Sequence, residues 1–213
     1  MAFTQILLVT GLLAVQLLEV YGHGMMMDPV SRSSAWRKGF PVEPNYNDNS
    51  LFCGGYDVMW NQNGGRCGLC GDNYAIHQPR PNENRGVYGT GVIVERYNHG
   101  ETINVNVKLT ANHMGKFTFH MCRLPSPEHL ESEDCFNEHP LQLADGTYEQ
   151  EVSQGQYEFN VPVRLPEDVT CEQCVIRWTY ITGNNWGECS DGTSKVGCGP
   201  QETFKNCADV SIS

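Results

Sequence analysis

Between Glu101 and Ala111 the chain reads ETINVNVKLTA, with Ile103, Val105, Val107 and Leu109 at alternate positions and Asn104, Asn106 and Lys108 between them. A period of two gives a strand one apolar and one polar face, so this segment specifies a half-buried β-strand and excludes an amphipathic helix. After the turn residues Asn112 to Gly115, KFTFHMC repeats the alternation. GVIVERY, QYEFNVPVRL, CVIRWTYIT and the terminal TFKNCADVSIS are further strand candidates, and no long segment has helical periodicity. Short strands separated by turn residues predict an all-β fold, an antiparallel β-sandwich of immunoglobulin or fibronectin III type.

The 10 cysteines reinforce that reading, because an even number suits an oxidising compartment and a disulfide-rich domain. Cys67 with Cys70 and Cys171 with Cys174 have CxxC spacing, which also suits zinc. The two pairs are far apart and no nearby histidine completes a compact site, so disulfides are expected instead. From Ser34 to about Gly91 the sequence is dense in Gly, Asn, Pro, Asp and Arg. It reads as a long irregular loop insertion pinned by Cys53, Cys67 and Cys70, and long ordered loops usually carry function.

Residues 1–22 read as a secretory signal peptide: Ile6 to Leu18 is mostly apolar and too short to span a bilayer comfortably, and Val20 and Gly22 suit a signal-peptidase site. Residues 23–213 are then a single secreted, extracellular domain, with no membrane association after cleavage. With 14 basic and 25 acidic residues the chain has a net charge of −11, which repels nucleic acid and anionic lipid. An uncharged polymer is neither attracted nor excluded by such a surface.

Cleavage after Gly22 makes His23 the first residue, and its free α-amine and imidazole can close a chelate ring on a metal. One more imidazole completes a planar three-nitrogen site, a donor set that favours copper over calcium or magnesium. His77, His99, His129 and His139 lie in polar, loop-like stretches. His120 faces opposite Phe117, Phe119 and Met121, whereas His113 sits at the turn closing an alternating strand. Position favours His113 and leaves His120 open. Met25, Met26 and Met27 offer soft donors for Cu(I), but consecutive strand residues face opposite ways, so packing is the expected role.

The mature start HGMMMDPVSR and the segments LTANHMGKFTFHMC, IRWTYITGNNWGEC and QETFKNCADVSI together resemble the lytic polysaccharide monooxygenases. The resemblance is closest to the fifteenth auxiliary-activity family and weaker to the tenth. It implies oxidative cleavage of crystalline chitin, with cellulose as a second polymer, and oxidation at C1. It also implies one copper ion cycling between Cu(II) and Cu(I), an external electron donor, and hydrogen peroxide or O2 as cosubstrate. His23 and His113 match the two copper ligands of the family's histidine brace. Phe204 matches its axial aromatic residue, here without a phenol and non-ligating, and Glu202 matches a carboxylate near the copper. Ala111 is expected to shape the other axial side. Trp178 alternates with Ile176 and Tyr180 and reads as core packing near the site. Tyr46, with Asn45, Asn47 and Asp48, is a candidate surface for sugar rings, and the protein is expected to be a monomer. The alternative from another class is a noncatalytic secreted module that binds chitin or carries copper. A hydrolase would need two spaced carboxyls and would make no use of a free amino terminus.

Overall fold

The computed structural model describes residues 23–213, so the signal peptide expected over residues 1–22 lies outside the described residues. Two sheets pack face to face. One has three strands in the order β1 (His23–Asp28), β3 (Thr102–Ala111) and β6 (Glu158–Arg164). The other has five: β2 (Glu95–Tyr97), β10 (Thr203–Ile212), β7 (Cys171–Ile181), β4 (Gly115–Arg123) and β5 (Gln150–Val152). Alternation decides what lies between them. Ile103, Val105, Val107 and Leu109 of β3 are buried against Phe117, Phe119 and Met121 of β4 and Ile176, Trp178 and Tyr180 of β7. The expected β-sandwich is therefore the observed one.

Two local features depart from the alternation. GVIVERY forms a strand only over Glu95–Tyr97, and β2 runs parallel to β10 from Val210 onward. Gly91 has φ +72°, which turns the chain before the ladder begins, and Val94 N–H reaches the Asp209 carbonyl outside it. A short helix, α1 (Glu133–Glu138), was not evident from periodicity, because six residues are under two turns. Ser132 caps it by accepting from Cys135 N–H, and Cys122–Cys135 staples it to β4.

The loop insertion is ordered by disulfides and polar bonds as well as by apolar residues such as Ala35 and Leu69 that join the hydrophobic clusters. Cys53–Cys67 closes it locally, and Cys70–Cys207 ties it to β10. Thus Cys67 and Cys70 do not pair with each other, whereas Cys171 and Cys174 do. Cys189–Cys198 completes the set, so both CxxC segments are in disulfides rather than zinc sites. Arg32, 4% exposed, bonds both carboxylate oxygens of Asp209 at 2.7 Å and Glu131 at 2.6 Å. Removing one partner would leave a buried charge uncompensated, which costs roughly 3–5 kcal/mol. Among the described residues no helix is long and apolar enough to cross a membrane.

Candidate metal centre

β1 enters the three-stranded sheet at His23, whose Cα is registered against Ala111 of β3. The chain leaves β3 at Ala111 and reaches β4 at Gly115, so His113 sits in the connecting turn, two residues past His23's partner. Sandwich topology thus brings residues 90 apart in sequence to one end of the molecule. His120 is on β4, registered against Arg177 of β7 in the other sheet. Burial and the Arg177 charge push its pKa down to about 4, and it belongs to a polar layer with Glu133 and Lys205. The third-nitrogen candidate at this end is therefore His113.

The turn is aimed by its own side chains. Asn112 accepts from Met114 N–H at 2.7 Å and donates to the Ser153 carbonyl at 2.9 Å, closing the turn and anchoring it to the neighbouring loop. His113 N–H donates to the Tyr180 hydroxyl at 3.0 Å, and its carbonyl accepts from Gly183 N–H at 2.9 Å. The Asn184 amide lies 3.0 Å from His113 Nδ1. Glu202 Oε2 is 3.8 Å from the same nitrogen, with both side chains at most 10% exposed. Glu202 is therefore not the solvated residue that a glutamate near a strand start usually is.

Gly24 fits β1 under the site: its N–H donates to the Asn49 carbonyl at 2.9 Å, and a Cβ there would come within 2.5 Å of Leu109 and 3.1 Å of Trp178. Trp178 is fully buried, as its alternation with Ile176 and Tyr180 implies. Behind His113 runs an aromatic stack in which Tyr180 meets Phe204 at 5.8 Å and Phe204 meets Phe52 at 5.9 Å. Phe204 is fully buried. Burial also pushes the Tyr180 phenol well above its ordinary pKa, so it stays protonated. Met26 lies in the sandwich core and Met25 does not, so the three methionines do not converge.

The surface expected to meet sugar rings is only partly exposed. Tyr46 is 77% exposed and rests edge-on against Trp36 at 5.2 Å. Asn45 and Asp48, grouped with it as surface contacts, are buried instead: Asn45 donates to Ser33 Oγ, and Asp48 receives Arg37 and Ser34. A tight loop consumes its own polar groups in building itself. On the other flank, β8 (Trp186–Glu188) and β9 (Ser194–Val196) form a hairpin next to Asn184. It presents Trp186, 68% exposed, with Val196 directly opposite. Sequence reading passed over Trp186 and Asn184, although both stand in a segment quoted for the resemblance, and took Asn112 only as a turn residue.

Residues 23–210 match the family described as lytic polysaccharide mono-oxygenase, cellulose-degrading. The chain belongs to the lytic polysaccharide monooxygenases. A solved structure of a lytic polysaccharide monooxygenase AA15 from Thermobia domestica, in the Cu(I) state, is 48% identical and superposes with a TM-score of 0.87. That match covers 89% of this chain and 98% of the other. No curated protein matches. The chain is thus a copper-dependent polysaccharide monooxygenase of AA15 type.

The residues at the sandwich end fit copper, because His23, registered against Ala111, and His113, two residues further on, offer imidazole nitrogens, and among the described residues no cysteine is free to compete as a thiolate. A different cluster, Cys70, Glu131 and Cys207, has its donor atoms close together. Its two sulfurs are bonded to each other, so it offers no thiolate to a metal.

Proposed function

We propose that residues 1–22 are a secretory leader whose removal frees the His23 amine, so that His23 and His113 supply three nitrogens to one copper ion. The observation that carries this reading is the registration of His23 against Ala111, two residues before His113. On this reading residues 23–213 are a single catalytic domain acting outside the cell as a monomer.

Bound there, copper supplies a Cu(II)/Cu(I) couple which, with an external electron donor and O2 or hydrogen peroxide, oxidises a glycosidic C–H bond. The chain's own residues shape that chemistry. Phe204, whose buried ring offers no donor atom, would line the metal site without ligating and would help keep water from it. Glu202, whose Oε2 is 3.8 Å from His113 Nδ1, would be able to hold or release a proton beside the metal site. Ala111, with only a methyl side chain, would crowd the metal site little. Tyr46 and Trp186 are exposed and can stack on sugar rings at a flat polymer face.

Crystalline chitin, oxidised at C1, is the substrate this reading favours, from the family resemblance. The deciding experiment is mass spectrometry of soluble products from β-chitin and from cellulose, using processed, copper-loaded protein with ascorbate. Chelator-sensitive C1-oxidised chitin oligosaccharides are expected. Products from cellulose alone would move the substrate. No oxidised product from protein with a verified His23 terminus and bound copper would favour a noncatalytic binding or carrier role.

A further inference from the structure

Asn184 is placed between two things that the reaction needs kept in relation, a metal ligand and a surface that meets the polymer. Its amide lies 3.0 Å from His113 Nδ1. Two residues on, the exposed Trp186 opens the hairpin. We propose that Asn184 is a positioning residue that sets the tautomer of His113 and so ties the hairpin to the metal ligand. The proposal rests on the copper reading above.

A neutral imidazole carries one proton on two nitrogens, and the nitrogen that binds a metal must be the other one. With the amide nitrogen of Asn184 donating to Nδ1, the imidazole proton is on Nε2, which then has no lone pair for a metal. Turning the amide over puts its oxygen in the same place, where it accepts a proton from Nδ1 and leaves the Nε2 lone pair for the metal. The Glu202 carboxylate, 3.8 Å from Nδ1, favours the proton on that side as well. Tyr180 and Gly183 hold the main chain of His113, whereas Asn184 addresses its ring. The Asn184 side chain is on the exposed side of the site, so its amide can turn over without disturbing the core.

The hairpin and the Asn184 segment are tied together by hydrogen bonds and a disulfide. Asn185, next to Asn184, exchanges two hydrogen bonds of 3.0 Å with the Gln201 amide, which also donates to the Cys198 carbonyl. Cys189–Cys198 closes the hairpin, and Gly197 N–H donates to the Asn185 carbonyl at 2.8 Å. A polymer face resting on Trp186 and Val196 therefore bears on the segment that holds Asn184, and through it on the His113 ring.

The test compares wild type, Asn184→Ala and Asn184→Asp, the last of which keeps an oxygen acceptor and removes the donor. Nitrogen-15 NMR of the processed, metal-free protein reads the His113 tautomer directly. Copper affinity and the Cu(II) EPR spectrum read its consequence, and thermal melts check that all three proteins are folded. Wild type is expected to carry the proton on Nδ1. Asn184→Ala should weaken that preference, shift the EPR spectrum and weaken copper binding by roughly 10-fold. Asn184→Asp should restore all three properties. An unchanged tautomer and spectrum in Asn184→Ala, or an Asp variant that behaves like Ala, overturns the proposal while leaving the copper reading intact. Wild-type protein that fails to bind copper tightly at nitrogen donors overturns both.

Discussion

Gly115 has φ +97°, and a Cβ built on it would sit 2.1 Å from the Ile181 carbonyl oxygen, so the residue after the His113 turn has to be glycine. Gly115→Ala is expected to cost more than about 1 kcal/mol in urea unfolding, beyond the ordinary effect of a compatible glycine replacement. Because the displacement falls at the turn, copper affinity should drop with it, and unchanged stability would disprove the steric account. His120 makes a separate point about charge. Burial, then Arg177, holds its pKa at about 4, below the ordinary value near 6.5, so the unfolded chain takes up the proton first as pH falls. Its contribution to stability is complete above about pH 6.5 and is lost between there and about pH 4. His120→Gln should flatten that part of the stability profile, and an unaltered slope would contradict the burial argument.

Among the elements, the disulfides differ in what they hold. Cys70–Cys207 spans a separation of 137 residues and joins the loop insertion to β10, whereas Cys171–Cys174 spans 3 and joins the start of β7 to itself. Loop-closure entropy grows with the logarithm of the closed length, giving about 5 kcal/mol for the first and about 2 kcal/mol for the second. Replacing both cysteines of each pair by alanine should therefore lower the melting temperature far more for Cys70 and Cys207. Equal losses would show that the bridges act through native-state packing instead. The same bridge explains why the insertion can be irregular yet ordered. Its polar groups are spent internally, as with Asp48 on Arg37 and Asp72 on Asn82, and it needs no sheet of its own.

At the scale of the whole molecule, the charge of −11 is carried by a protein whose partner is a polysaccharide. If that polymer is chitin, recognition rests on exposed rings and hydrogen bonds rather than on Coulomb attraction. Binding to β-chitin should then change by less than about two-fold between low and high salt, because screening has little to act on. A steep loss of binding with salt in a pull-down would point to charged contacts. The sandwich also gives the histidine end its rigidity. His23 is held by a sheet ladder and His113 by a turn bonded to Tyr180, Gly183 and the Ser153 loop, so both histidines are fixed by the surrounding fold.

The alternation in ETINVNVKLTA and KFTFHMC by itself determined the fold class, because a period of two with one apolar face has only a sheet to belong to. The order of four short segments, with His23 at the expected cleavage point, was enough to name the family and to nominate His113, Phe204 and Glu202. What the sequence could not hold was distance between elements. The registration of His23 on Ala111, the partners of Cys67 and Cys70, and the burial of Asn45 and Asp48 all depend on chain segments far apart in order. Asn184 and Trp186 became visible only when a hairpin that looks like an ordinary turn-rich stretch was folded against the His113 turn. Local periodicity is a property of neighbours along the chain, and a site is a property of neighbours in space, which only the packing of the two sheets creates.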